Sequence, residues 1–168
     1  NGFQVLTKLG LLPLFDGELV QEATLTHNDS GRFEDRWVHL ATPDNTRCIW
    51  LRGIERIELP VRHGEGKFIP RDDEVLGELR DNGQVALRYV MPAGAPARGE
   101  YPANPNGSVD DIAGICDPTG RIFGLMPHPE AFVDRTNHPR WTREELPEEG
   151  LGLQVFRNAV QFAATELG

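Results

Sequence analysis

Cysteine is scarce: Cys48 and Cys116 are the two in 168 residues. Two thiols are too few for a disulfide framework and fit a reducing compartment such as the cytoplasm. No apolar run approaches the roughly 20 residues a membrane span needs, so a membrane is not an expected partner. Basic side chains are in the minority, with 17 Lys and Arg against 26 Asp and Glu and a formal charge of −9. Such a chain is a poor nucleic-acid binder, because phosphate contacts need a basic face. There is no internal repeat and no low-complexity linker. No Gly-x-x-x-x-Gly-Lys loop is present to cradle phosphates, so no ATP is expected on this chain. The opening Asn1-Gly2-Phe3-Gln4 has no initiator Met, signal peptide or basic targeting stretch, and reads as cut from something longer or interrupted there.

What is present fits one ordinary globular domain over 1–168: 39% apolar residues, and about half once the 18 glycines are added. Apolar Phe3, Leu6 and Leu9 before Gly10 predict a first helix. Strand-like runs follow at Glu18–Leu25, Asp35–Ala41, Glu55–Val61, Gln84–Val90, Asp110–Cys116 and Arg121–Met126. Asp72 or Asp73 caps a predicted helix through Val75, Leu76 and Leu79, ending before Gly83. Leu151 to Leu167 predicts an amphipathic helix with Leu153, Phe156, Val160 and Ala164 on its buried face. Gly94 to Pro105 reads as a loop, and Glu144, Glu145, Glu148 and Glu149 as a solvated surface. Helix and strand alternate as in an α/β domain. Long crossover helices are lacking early on, so a complete doubly wound sheet does not fit and part of the sheet is expected to lie outside these residues.

The sharpest chemical feature is Gly124-Leu125-Met126-Pro127-His128-Pro129-Glu130. A loop after a buried strand is where open α/β sheets place their sites. His128 and Glu130 are two apart, and on an extended backbone they point the same way. The flanking prolines restrict the chain there. A carboxylate beside an imidazole fixes its tautomer and stabilises the imidazolium formed during proton transfer; a surface turn with a fortuitous ion pair is the bland alternative. At the other feature, Asn1 to Gln4, backbone amides could stabilise an oxyanion if a nucleophile stood just before Asn1; a plain helix start is the simpler reading. His128, Glu130, Asp134 and His138 match no metal-ligand spacing, and no metal is expected. Cys116 sits in an apolar strand pattern and Cys48 in no elbow-like context, so both read as structural. His27, His39 and His138 read as surface or satisfied structural residues. Asn28-Asp29-Ser30 and Asn106-Gly107-Ser108 satisfy the glycosylation sequon, with nothing to indicate secretion.

Asn-Gly-Phe-Gln at 1–4 resembles the segment after the nucleophilic cysteine of class I glutamine amidotransferases. Within them it is similar to the glutaminase subunits or domains of phosphoribosylformylglycinamidine synthases. Further blocks resemble that family in its order: Asn28-Asp29-Ser30-Gly31-Arg32-Phe33-Glu34 with Arg36-Trp37-Val38; Pro60-Val61-Arg62-His63-Gly64-Glu65-Gly66-Lys67-Phe68; Asn104-Pro105-Asn106-Gly107-Ser108 leading into Asp111-Ile112-Ala113-Gly114-Ile115; and Gly120 to Glu130.

The resemblance implies an α/β, flavodoxin-like three-layer sandwich whose N-terminal strands and nucleophile-elbow strand precede Asn1. It makes His128 and Glu130 the second and third members of a Cys-His-Glu triad, with the cysteine expected immediately before Asn1. Asn1, Gly2 and Gln4 take oxyanion or glutamine-binding roles, and Arg32, Phe33, His63 and Glu65 are site-proximal. The implied activity is hydrolysis of glutamine, with ammonia passed to a synthetase subunit or domain of the same complex, accompanied by a small accessory subunit. No cofactor is expected on this chain; ATP and magnesium belong to the synthetase. Residues 1–168 alone are expected to be inactive on glutamine and unstable. Two rivals stand beside this reading: a class I amidotransferase serving another acceptor, and a glutaminase-like binding module without a nucleophile.

Overall fold

The structure, a computed structural model, describes residues 1–167. Its longest ladder is the antiparallel pair β2 (Glu34–Ala41) and β3 (Arg56–His63), in register from Glu34↔His63 to Ala41↔Arg56. Alternation along both strands sends Val38, Leu40, Ile57, Leu59 and Val61 inward, as a strand's two-residue period requires. With β5 (Val85–Val90), β6 (Ile112–Cys116) and β7 (Phe123–Leu125), they form a five-stranded sheet in the order β3-β2-β5-β6-β7, each neighbouring pair antiparallel. A separate two-stranded ribbon pairs β1 (Ala23–His27) with β4 (Glu65–Pro70).

Three helices complete the α/β fold. The first, α1 (Gly2–Lys8), packs against β1 and β7. In α2 (Asp73–Asp81), Asp72 is the N-cap, its carboxylate accepting from the Val75 amide at 2.9 Å, with Asp73 and Glu74 in the first turn and Arg80 in the last. The last, α3 (Gly152–Phe162), continues as a wider helical turn over Ala163–Leu167 and packs on the Pro129–Ala131 turn and the Ile49–Leu51 turn. One core cluster gathers Val38, Leu40, Leu51, Leu59, Val61, Phe132 and Val155. The other gathers Phe3, Leu12, Leu25, Phe68, Leu79, Ile112 and Ile115 between α1, α2, the ribbon and the sheet.

The helical-face expectation for the last helix is overturned. Val155, Asn158 and Phe162 are its buried side chains, whereas Val160 is 70% exposed and Phe156 37%. The sequence pattern misleads because Asn158 belongs to the inward face, where its amide donates to the carbonyls of Trp50 and Arg52, both at 2.9 Å. Glu18 to Glu22 precede β1 rather than belonging to it, and the strand expected over Arg121–Met126 shortens to Phe123–Leu125. The β4 strand was not expected from the sequence, because Gly64 and Gly66 disguise it as a turn.

Leu59→Ala is expected to cost about 3 kcal/mol in urea unfolding of the intact protein, and Asp72→Ala about 1 kcal/mol, whereas Val160→Ala stays within about 0.5 kcal/mol.

Candidate active site

The residue before each proline of Pro127-His128-Pro129 is held out of the helical region, and His128 lies at φ −108°, ψ 91°. Its amide donates to the Pro60 carbonyl at 2.8 Å, which ties it to β3. The chain then turns tightly through Pro129–Ala131. That turn, rather than a continuing strand, brings Glu130 back, so His128 Nδ1 lies 2.6 Å from Glu130 Oε1. Because a carboxylate at neutral pH only accepts, Nδ1 carries the proton and Nε2 presents a lone pair.

His128 opens on a cavity of about 420 Å³ lined by Asn1, Gly2, Phe3, Gln4, Phe33, Arg62, His63, Gly64, Glu65, Leu125, Met126 and His128. Segments far apart in sequence meet here: the start of α1, the turn between β3 and β4, and the end of β7. Gly124 permits this approach, since a Cβ there would lie 2.3 Å from the Phe3 ring. The amides at the start of α1 have no intrahelical acceptor, and Asn1 contributes its carbonyl to the Val5 amide without a side-chain cap. Gln4 Nε2 donates to Glu65 Oε2 at 2.6 Å and to the Leu25 carbonyl at 3.3 Å.

Of the residues singled out from the sequence, the cavity collects Asn1, Gly2, Gln4, Phe33, His63, Glu65 and His128, with Glu130 behind His128. Arg32 is not among its lining residues; it is exposed, and its carbonyl accepts from Asn28. Phe33 is 67% exposed at the cavity's edge. Phe3, Arg62, Gly64, Leu125 and Met126 join the lining without having been assigned roles. His138 is 1% exposed, packed between Trp37 and Phe132 with Glu58 at 3.3 Å, as a satisfied structural histidine should be. Among the described residues no group of three or more His, Cys, Asp or Glu is placed to hold a metal ion, and no helix is long and apolar enough to cross a membrane. Cys48 and Cys116 are both buried free thiols, and burial with the neighbouring Cys116 pushes the Cys48 thiol far up from its ordinary value.

Sequence reasoning missed the supports. Asn28, read as a sequon and as the start of a resemblance block but given no role of its own, is buried, and its side chain makes four bonds at the β3–β4 turn and the Arg32 carbonyl. Its Nδ2 donates to the carbonyls of His63 and Arg32, both at 2.8 Å. Its Oδ1 accepts the Gly66 amide at 3.1 Å and faces His63 Nδ1 at 3.0 Å. An oxygen that accepts from Gly66 must also accept from His63, so the His63 proton sits on Nδ1. Gly66 is required beneath that ring, because a Cβ would lie 2.5 Å from it. The Asn104–Ser108 block braces the far side of β4. Asn104 Oδ1 accepts from the amides of Gly107 and Ser108, and Ser108 Oγ accepts from the Phe68 amide and donates to the Gly66 carbonyl. Asn106 donates to the hydroxyl of the fully buried Tyr89.

Burial lowers the His63 imidazole from 6.5 to about 4. Above pH 7 it is neutral in both folded and unfolded chains. Between about 6.5 and 4 the unfolded chain takes up a proton that the folded one refuses, so stability falls as pH falls. Between about pH 7.5 and about pH 5 this residue alone is expected to remove about 2 kcal/mol from the unfolding free energy, a loss that His63→Gln abolishes. Urea titrations of both proteins at the two pH values check it.

The chain matches the CobB/CobQ-like glutamine amidotransferase domain over residues 1–163. It is 49% identical over 165 residues to the phosphoribosylformylglycinamidine synthase subunit PurQ of Dehalococcoides mccartyi, covering 97% of this chain and 61% of that protein. It is 43% identical over 175 residues to the same subunit of Methanococcus maripaludis strain S2, covering 96% of this chain and 63% of that one. A solved structure, PurLQS from Thermotoga maritima, superposes with a TM-score of 0.64 at 29% identity, over 95% of this chain and 57% of the matched chain. The chain thus spans about three-fifths of the length of the curated relatives it matches. With its cavity and its His128–Glu130 pair in place, it belongs to the CobB/CobQ-like glutamine amidotransferase domain family.

Proposed function

We propose that the intact protein, acting in the cytoplasm, hydrolyses glutamine to glutamate and ammonia. The ammonia is delivered to a synthetase partner that converts formylglycinamide ribonucleotide to formylglycinamidine ribonucleotide in de novo purine biosynthesis. Residues 1–168 belong to its glutaminase domain, whose N-terminal part precedes them, and the nucleophilic cysteine stands immediately before Asn1. ATP and magnesium act on the synthetase, and a small accessory subunit completes the complex. The observation that carries the reading is the 2.6 Å contact between His128 Nδ1 and Glu130 Oε1 at a cavity that also takes in the first residues of α1. The relatives named as subunits of phosphoribosylformylglycinamidine synthase supply the acceptor.

In this reading each residue's task follows from its chemistry. With Nδ1 held by Glu130, His128 Nε2 takes the thiol proton and returns it to the departing ammonia. Glu130 fixes the tautomer and stabilises the imidazolium. Amides of the Asn1-Gly2 turn hold the oxyanion of the tetrahedral intermediate, which forms when sulfur adds to the amide carbon. Collapse expels ammonia and leaves a glutamyl thioester, which water opens to glutamate. Gln4 helps to hold the glutamine, and His63 and Glu65 stand beside it in the cavity lining.

His128→Ala in the intact protein assembled with its synthetase is expected to lower glutamine-dependent amidine formation at least about a hundredfold, while synthesis driven by ammonium chloride is retained. Glu130→Gln gives a smaller loss of the same kind. Unchanged glutamine turnover in His128→Ala would overturn the triad.

A further inference from the structure

A second cavity, of about 610 Å³, lies at the end of β2 remote from the candidate active site. Ala41, Thr42 and Pro43 border it, whereas Glu34, which pairs with His63, opens the same strand about 23 Å away at 3.3 Å per residue. Its other walls come from β5, the loop Gly94–Gly99 and the turn Val109–Asp111.

Backbone strain gathers here. Among the described residues, five non-glycine positions have a left-handed φ, and Arg98 at 55°, Asp110 at 56° and Asp111 at 56° all line this cavity. Such conformations persist where the surroundings over-determine them, and they cluster at ligand sites. Asp111 does the fixing. Its carboxylate accepts from the amides of Arg98 at 2.6 Å and Gly99 at 2.8 Å, and from the Asn104 side chain at 2.8 Å.

The charges are arranged to leave cations over. The Asp110 carboxylate is held by Arg80 at 2.7 Å and by Arg88 at 2.5 Å, and Asp111 is taken up by its three N–H donors. Neither is left to oppose Arg98, which has no ion-pair partner among the described residues. Arg56 opens β3 opposite Ala41, and its guanidinium packs over Gly94 on the rim, where a Cβ would collide with it. Arg88 gives Nη2 to Asp110 while its side chain stays 35% exposed. Behind this surface the Thr42 hydroxyl and Arg88 Nε are buried without a partner among the described residues. Buried polar groups are as a rule paired, so this wall holds hydrogen-bonding capacity that the protein itself does not use. Pro43, Val90, Pro96 and Val109 make the rest of the lining apolar. Net charge cannot recruit an anion to a chain of formal charge −9, so any anion held here is held by this local arrangement.

We propose that this cavity is a binding site for a small organic anion. Its phosphate or carboxylate lies on Arg88 and Arg98, and its apolar body lies against Pro43, Val90 and Pro96. The site is separate from the glutaminase reading and does not depend on it.

The test is calorimetric titration of the intact protein with phenyl phosphate. A dissociation constant of about 1 mM or tighter is expected at about 50 mM sodium chloride, weakening several-fold at about 500 mM as the guanidinium groups are screened. Arg98→Met breaks no ion pair and is expected to weaken binding about tenfold or more, as is Arg88→Met, whereas His128→Ala binds as the wild type does. Inorganic phosphate, which lacks the apolar body, is expected to bind at least about fivefold more weakly than phenyl phosphate. Benzoate separates the two anion types: tighter binding than phenyl phosphate assigns the site to carboxylates, and weaker binding assigns it to phosphate monoesters. Failure of both phenyl phosphate and benzoate to bind below about 10 mM would overturn the proposal. So would undiminished binding in an Arg98→Met protein that unfolds at the wild-type temperature. Loss of binding in His128→Ala would place the anion in the catalytic cavity and overturn it equally, and inorganic phosphate binding as tightly as phenyl phosphate would overturn the part given to the apolar wall.

Discussion

The side-chain amide of Asn28 is the interaction on which the site depends. It is buried, and its four bonds close the space between the end of β1 and the turn from β3 into β4. The three bonds to His63 and Gly66 are buried, and a polar group left unpaired there costs about 1–3 kcal/mol. Because the amide binds the His63 carbonyl, the His63 ring and the Gly66 amide together, the turn cannot shift as a unit without breaking all three. That rigidity reaches Glu65, and through Glu65 it reaches Gln4 on α1. The Asn104–Ser108 loop braces the same turn from behind, through Gly66 and Phe68. Two polar segments with no direct part in the chemistry therefore hold one wall of the cavity.

The opposite wall is built differently. His128 is fixed by covalent restriction from its prolines and by one backbone bond to β3, and Glu130 is returned to it by the turn on which α3 packs. The segment after it is pinned by the buried His138 between Trp37 and Phe132, so the turn carrying Glu130 leaves from a packed surface rather than a free loop. One wall relies on hydrogen bonds and the other on chain stiffness and aromatic packing, and the cavity lies where the two meet.

Much of this was legible in the sequence. The Pro-His-Pro-Glu spacing foretold the histidine–carboxylate pair, although the pair forms through a tight turn and not along an extended strand. Asp72 and the periodicity of Val75, Leu76 and Leu79 foretold α2, because a cap and an inward stripe are local properties. What was not legible depends on distant partners. Asn158 is inward-facing because the carbonyls of Trp50 and Arg52 need donors, a demand invisible in a hydrophobic pattern, so the buried face of α3 was misassigned. β4 was hidden because Gly66 is dictated by the His63 ring and not by strand propensity. The supporting role of Asn28 was hidden for the same reason: its bonds to His63 and Gly66 span 35 and 38 residues. Five ordered blocks of family resemblance reached across these distances where periodicity could not.

The two buried thiols carry a practical consequence. Cys48 and Cys116 are packed in the core, and burial disfavours the thiolate form of Cys48, which is the form that attacks electrophiles. These two thiols are therefore shielded from thiol-alkylating reagents while the chain is folded. An iodoacetamide adduct gained by the intact native protein would mark a cysteine elsewhere in it, free of background from these residues. The later appearance of label on Cys48 would serve as a clock for global opening of the core.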